Sequence, residues 1–193
     1  MKRRTFDILL STGGLVLTIA LVVVGALAFA GYSFANSSVT KQLAEQKIFF
    51  PQKGPATESP EIGPYINKYA GQQLLTGAQA EAYANHFIAV HIKDVADGKT
   101  YAEMGAVIKA NPTDTTLPGK RDTIFKGETL RGLLLQAYGF WKIGQIALIG
   151  SIVAWAMAGV MGLLTLMGFV HLRKVAPEAE VLTPRPRATP VHA

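Results

Sequence analysis

Two long stretches of this sequence contain no Asp, Glu, Lys or Arg, and they restrict the possible folds more than any other feature. They cover residues 8–31 and 143–170, which are 24 and 28 residues long. As helices that rise about 1.5 Å per residue, they would reach about 36 and 42 Å, enough to cross a hydrocarbon core of about 30 Å. The sequence therefore predicts two transmembrane helices, which we place at residues 8–35 and 143–172.

Basic residues beside these runs predict how the chain is oriented. Residues 2–4 and 173–174 are all Lys or Arg. Because the cytoplasmic flanks of membrane spans carry an excess of such residues, both termini are expected in the cytoplasm. The amino terminus is then residues 1–7, and the proline-rich tail 173–193 is expected to be disordered. The resulting prediction is a multi-pass protein of the plasma membrane.

A secretory signal peptide is the alternative interpretation of the first run. A basic start, an apolar stretch and the small residues Ala28 and Ala30 around Phe29 are all present. The apolar cores of signal peptides, however, are usually about 7–15 residues long, and this run is longer. We therefore expect the first run to remain as a membrane span.

Aromatic and basic side chains mark the predicted outer ends of both spans. Tyr32 ends the first span, and Tyr138, Trp141 and Lys142 precede the second. Amphipathic rings and long basic side chains are enriched where the bilayer meets water. These four residues are therefore predicted to be membrane-interface anchors.

Small residues recur every fourth position in the second run. They are Gly150, Ala154, Ala158 and Gly162. On a helix this spacing gives a stripe that allows another backbone to approach closely. The stripe predicts packing either against the first span or against a different membrane protein or a second copy.

The segment between the spans, residues 36–142, is expected to be an extracytoplasmic and mostly helical insertion. Its 12 Lys or Arg nearly balance its 10 Asp or Glu, so it has no basic surface that would favour nucleic acid. Four prolines and two glycines in residues 47–64 predict an extended connector. The fold class is therefore an all-α membrane protein.

Two capping boxes define helices within the insertion. Thr76 and Gln79 predict a helix that continues to about Asp97, after which Gly98 can adopt a left-handed conformation. A second box at residues 100–103 predicts a helix that ends before Pro112. Between about residue 126 and the second span the sequence has no proline, so one helix is expected to run into that span.

His86 and His91 are the candidates for ligand or proton chemistry in the insertion. They are five residues apart, about 140° on an α-helix, whereas a shared metal favours a spacing of four. His91 lies on the apolar stripe one turn before Asp94, which predicts a partly buried histidine that is hydrogen-bonded. A ligand or proton site at His86, His91 and Asp94 is the alternative, and no metal site is predicted.

The sequence contains no pattern that is typical of an enzyme. It has no cysteine, which excludes thiol catalysis and thiolate metal sites. It also lacks a nucleophile elbow, a phosphate-binding loop and a dinucleotide fingerprint. We expect no catalytic residues and no cofactor.

Four segments resemble small two-span membrane proteins of Actinobacteria. They are LTGAQA at 75–80, HFIAVH at 86–91, GKTYAE at 98–103 and KGETLRG at 126–132. The similarity extends over about residues 5–175 and implies an extracytoplasmic helical domain on two spans. Some proteins of similar layout look like accessory subunits of respiratory assemblies, although a shared layout does not define a site.

The sequence as a whole predicts a non-catalytic accessory protein that docks onto and stabilises a larger membrane complex. A respiratory assembly is the partner class that the resemblance implies. The alternative is a membrane-anchored extracytoplasmic sensor or ligand-binding protein that uses His86, His91 and nearby aromatic side chains.

Overall fold

The chain is helical and divides into two compact units. The structure, a computed structural model, describes residues 2–176 and residue 181, so most of the predicted tail lies outside the described residues. Among the described residues, 2–29 with 148–176 and 181 form one unit, which we call the two-helix unit; residues 30–147 form the other, which we call the helical unit. Within the described residues no β-strand is formed, which confirms the all-α class.

Helix α1, Arg3–Gln46, continues well beyond the predicted end of the first span at residue 35. Val39 and Leu43 are each at most 4% exposed and lie one turn apart. Their burial in the core of the helical unit stabilises the additional turns, although the sequence there is polar between them. The helix stops where Lys47 adopts a left-handed φ of 52°.

The predicted connector, residues 47–64, is mostly non-helical, as expected. It contains one 3₁₀ turn, Pro55–Thr57, and helix α2, Gly63–Ile66, begins inside its last two residues. A Cβ at Gly63 would lie 2.5 Å from the carbonyl oxygen of Thr57, so only glycine permits this close approach. Contacts between the turn and α2 thus fix a segment that sequence alone describes as extended.

The start of the connector pairs with the segment before the next helix. Phe50 donates its backbone N–H to the carbonyl of Gln72 at 2.9 Å, and Leu74 donates to Ile48 at 2.9 Å. The two segments run antiparallel. These bonds satisfy backbone groups that a loop would otherwise leave to water.

Helix α3, Gly77–Tyr83, begins at the predicted capping box. Thr76 Oγ1 accepts from the backbone N–H of Gln79, and Gln79 Oε1 accepts from the backbone N–H of Thr76. The helical run continues through a π-helical segment, Ala84–Ile88, into α4, Ala89–Val95. The π-helical segment was not predicted.

The π-helical segment keeps one face of this helical run in the core. In an ideal α-helix, positions four apart drift by about 40° per turn, so a strict four-residue stripe would rotate away from its contact. A wider π turn takes up this drift. The buried stripe is Ala80, Ala84, Ile88, Ile92 and Ala96.

Helix α5, Tyr101–Ala110, confirms the second capping box and the end before Pro112. Gly98 takes the predicted left-handed conformation, with φ 76°. Hydrogen bonds from the backbone and then the hydroxyl of Thr100 lower the pKa of Glu103. The cap is therefore complete when Glu103 is ionised, and it weakens as the pH falls through this lowered pKa.

Helix α6, Leu117–Leu172, is 56 residues long and unbroken, which confirms one helix from the insertion into the second apolar run. Just before its first residue, Asp114 Oδ1 accepts the backbone N–H of Thr116 at 2.9 Å. Hydrogen bonds from the side chain and backbone of Thr116 lower the pKa of Asp114.

The core of the helical unit is apolar and contains side chains from each of the helices α1 to α6. Its most deeply buried members include Phe50, Ile66, Leu74, Met104, Ile124 and Leu134, each at most 2% exposed. A core of this size explains how residues far apart in the chain form a single unit.

The two-helix unit is an antiparallel pair with small residues at the positions of contact. A Cβ added to any of four glycines would meet a side chain of the facing helix, in the pairs Gly168 with Ser11, Gly14 with Thr165, Gly162 with Thr18 and Gly25 with Trp155. The pairs advance by three to seven residues on both helices in opposite directions. Small side chains thus allow the two backbones to approach closely.

Candidate functional site

His86 stacks face to face on Tyr65 in the helical unit. The ring centroids are 3.5 Å apart and the planes differ by 4°. The pair borders a shallow cleft of about 390 Å³ that Glu61 and Lys93 also line. The imidazole is held by an aromatic partner, and this cleft is the place where a ligand could reach it.

His91 is exposed, which corrects the prediction of a partly buried histidine facing Asp94. Its Nδ1 lies 2.7 Å from the carbonyl oxygen of Phe87, and because a carbonyl can only accept, Nδ1 is the donor. The π-helical segment places Ile92 on the buried stripe, so His91 is turned outward. Asp94 is exposed as well. His86 contacts Tyr65 and His91 contacts Phe87, so the two histidines have different aromatic partners.

A row of five rings passes from the connector to α4. Neighbouring centroids are 5.0, 5.3, 4.9 and 4.3 Å apart along Tyr69, Phe50, Tyr83, Phe87 and His91. Burial raises the pKa of Tyr83, so its phenol stays protonated at neutral pH. The row contributes packing, since aromatic pairs add about 0.5–1.5 kcal/mol beyond their buried area. Because Phe50 and Tyr69 lie outside any helical periodicity, this row could not be predicted from the sequence.

Tyr101, Arg121 and Phe125 form an exposed cluster that we call the aromatic–arginine patch. The Arg121 guanidinium carbon lies 4.5 Å from the centroid of the Tyr101 ring, and the Tyr101 and Phe125 rings are 5.6 Å apart. Tyr101 is 40% exposed and Phe125 is 52% exposed. The three line a shallow cavity of about 370 Å³.

The Arg121 side chain in this patch is only partly satisfied. Its Nε is buried and has no hydrogen-bond partner among the described residues. Because Tyr101 and Phe125 belong to different helices, the sequence could not indicate that they meet. The patch offers an aromatic surface and a cation, the side-chain types that are enriched at the centres of protein interfaces.

The small-residue stripe of α6 is divided by the fold. Ala154 is 7% exposed and Ala158 is 4% exposed, so both are buried in the two-helix unit. A Cβ at Gly162 would make ordinary contact with Thr18, whereas one at Gly150 would meet nothing within 4 Å. Ala154, Ala158 and Gly162 therefore pack inside the two-helix unit. Of the four stripe residues, Gly150 alone has open space beside it.

Two polar residues within the second apolar run are also buried. Ser151 is 0% exposed and donates its hydroxyl to the carbonyl of Leu148 at 2.7 Å. Thr165 is 6% exposed and faces Gly14. Neither residue is charged, so the charge pattern of the run does not reveal them. Their helical spacing from Ala154 and Ala158 is the sequence signal that places them on the same face.

The predicted interface anchors have different surroundings. Tyr32 and Tyr138 are half-buried, and Lys142 is exposed. Trp141 packs against Gly77 and against the core of the helical unit. Trp141 therefore has a structural contact besides the anchoring role, which stays a prediction.

No group of three or more potential metal-ligating side chains occurs within residues 2–176 and 181. Among the described residues, no nucleophile, base and orienting group form a hydrogen-bonded set. The strongest features of the helical unit are therefore surfaces: the aromatic–arginine patch, the cleft at His86 and a groove beside α1 and α6.

Comparison of the chain with protein-family models, with curated proteins and with solved structures finds no match.

Proposed function

We propose that this chain is a non-catalytic integral membrane protein that docks onto a larger membrane complex. In this proposal α1 and α6 cross the bilayer, and both termini are cytoplasmic. The helical unit lies on the extracytoplasmic side and carries the contact surface. The aromatic–arginine patch is the single observation that supports docking most directly.

Membrane embedding is supported by the exposure of the apolar helices. Two helices are long and apolar enough to cross a membrane, and only 6% and 17% of their most apolar 18-residue windows is buried. Leu10, Leu27 and Met167 are each at least 65% exposed. A core helix of a water-soluble protein would bury such side chains, so a lipid environment accounts better for this surface.

Retention of the first span is supported by its contacts. Gly14 and Gly25 of α1 each lie against a side chain of α6. Cleavage after Ala30 would remove these contacts and expose the facing side of α6. The signal-peptide alternative therefore does not account for the small residues at which α1 and α6 contact each other.

The orientation can be tested with single cysteines, because the chain has none of its own. Ala56→Cys in the connector and Ala176→Cys after α6 replace the same exposed residue type on opposite predicted sides. In intact cells a membrane-impermeant maleimide is expected to label Ala56→Cys, whereas Ala176→Cys should react only after permeabilisation. Labelling of Ala176→Cys alone in intact cells, or an intact mass showing loss of the first 30 residues, would contradict the proposal.

The position of the patch supports a partner with an extracytoplasmic part. Phe125 precedes residue 143, where the second apolar run begins, by 18 residues on one unbroken helix. At about 1.5 Å per residue this is about 27 Å along the axis. Tyr and Arg, with Trp, are enriched at interface hot spots, which supports this cluster as a contact surface.

Docking is tested by isolating the full chain from its native membrane in mild detergent. Arg121→Ala and Phe125→Ala are each expected to weaken co-isolation of a stoichiometric complex, by up to about 30-fold in affinity for a hot-spot residue of about 2 kcal/mol. Lys126→Ala is the matched control, since it also removes a cation from α6 but its ion pair with Asp122 is exposed.

Several outcomes would count against docking. Equal co-isolation by all three variants would remove the patch from the proposal. Purification of the chain alone, with a bound small molecule, would favour the ligand-binding alternative and the cleft at His86. A respiratory assembly is the partner class to look for first, because the sequence resemblance implies it.

A further inference from the structure

A groove of about 700 Å³ runs through the helical unit between the last turns of α1 and the middle of α6. Its floor is formed by Val39, Leu43 and Leu134, each at most 4% exposed. The lining residues of each helix follow three-and-four spacing, so each helix presents one continuous face. The volume is within the range of about 300–1,000 Å³ that is typical of ligand sites.

The rim of this groove is apolar and uncovered. Leu133 is 60% exposed, Phe140 is 40% exposed and Ile143 is 65% exposed. Ile143 is also the first residue of the uncharged run 143–170, and α6 has no break there. One wall of the groove therefore ends at the first residue of the run that the proposed function places in lipid.

The polar lining of the groove consists of neutral amides. Gln42, Gln46 and Gln136 contribute it, and none of the described lining residues is charged. An anionic headgroup would have no cation to pair with inside the groove. Amide N–H groups instead match uncharged acceptors such as ester carbonyl oxygens.

The groove is long enough to hold one extended acyl chain. From Leu130 to Ile143 the wall covers 13 residue steps, about 20 Å of helix. The acyl chains of one leaflet extend over about 15 Å, half of the hydrocarbon core. An extended chain therefore fits along the groove, with room for the ester group at one end.

We propose that the groove binds one acyl chain of a membrane glycerophospholipid, drawn from the outer leaflet, with its ester carbonyl near the glutamine amides. The chain covers the exposed rim and removes apolar surface from water. This inference rests on the membrane anchoring of the proposed function and is independent of docking through the aromatic–arginine patch.

Photolabelling of the full chain tests this inference. The protein is reconstituted into vesicles of phosphatidylethanolamine and phosphatidylglycerol that contain a trace of phospholipid with a diazirine on one acyl chain. Irradiation and peptide mapping by mass spectrometry are expected to find adducts in residues 39–48 and 130–143, as well as in the two apolar runs.

Two glycines of α6 provide a matched pair of variants. A Cβ at Gly139 or at Gly132 would meet nothing within 4 Å, but only Gly139 lines the groove. Gly139→Phe fills the groove and is expected to lower labelling of residues 39–48 and 130–143 by about fivefold or more. Gly132→Phe should leave labelling unchanged, and circular dichroism checks that both variants retain the helical content of the wild type.

The outcomes separate the groove from the membrane anchoring. If the apolar runs of the wild type are labelled but its groove is not, the acyl-chain site is overturned and the anchoring stays intact. The same conclusion follows if Gly139→Phe and Gly132→Phe change groove labelling equally. Absence of label from both the runs and the groove would overturn the anchoring and the site together.

Discussion

Leu74→Ala is expected to lower the free energy of unfolding of the helical unit by about 2–5 kcal/mol. Leu74 is 0% exposed in the core, and its backbone N–H bonds to Ile48 in the antiparallel pairing. Removal of its side chain leaves a cavity that closely packed neighbours cannot fill completely. The loss is therefore the transfer free energy of the missing methyl and methylene groups plus the cost of the cavity.

The measurement is thermal unfolding in one detergent, followed by circular dichroism and by amide hydrogen exchange in residues 74–96. Phe49→Ala is the matched control, because Phe49 is 57% exposed in the same unit and does not line the groove. Its effect should be within about 0.5 kcal/mol. Equal unfolding temperatures for the two variants would show that Leu74 is not in a packed core.

Gly25→Leu is expected to separate the two helices of the two-helix unit locally, at a cost of about 1–3 kcal/mol. A Cβ at this position would lie 2.5 Å from the Trp155 ring, whose centroid is in turn 5.6 Å from that of Phe29. The Trp155 Nε1–H also lies 3.4 Å from the carbonyl oxygen of Val22, so moving the ring away from position 25 would break this contact. Leucine at position 25 is therefore expected to displace the ring and shift the helices.

A cysteine pair reports this shift, because the chain has no other cysteine. Thr18→Cys and Gly162→Cys lie at a contact of the two helices and are expected to form a disulfide on mild oxidation. Gly25→Leu should reduce its yield, whereas Gly13→Leu should not, since a Cβ at Gly13 meets nothing within 4 Å.

A second substitution identifies the cause of the expected loss. Trp155→Ala in the Gly25→Leu background removes the obstructing ring and should restore the disulfide yield. If Gly13→Leu reduces the yield as much as Gly25→Leu does, or if Trp155→Ala restores nothing, the close contact between Gly25 and Trp155 is not what holds the helices together.

Several features of the fold could be predicted because their causes are local. The capping boxes at Thr76 and Thr100 need only a hydroxyl and a carboxylate or amide three residues later, and both form as predicted. The left-handed turn at Gly98 needs only the absence of a Cβ. The unbroken α6 follows from the absence of proline between Lys126 and the second apolar run.

The features that could not be predicted depend on packing between distant segments. Helix α1 extends to Gln46 because Val39 and Leu43 enter a core made by other parts of the chain. His91 is exposed because the π-helical segment follows the buried stripe rather than ideal α-helical phase. Local periodicity contains neither kind of information.

The sequence by itself determined that this chain is helical, has two apolar runs long enough to cross a bilayer and starts two helices at defined caps. Charge distribution, side-chain size and hydrogen bonds between near neighbours are properties of short segments, so they can be read in order along the chain. The tertiary structure alone decided which faces are buried, that Arg121 meets Tyr101, and that a groove opens beside Gly139. These features arise from contacts between segments that are distant in sequence, so they form and stabilise the structure only when the chain has folded.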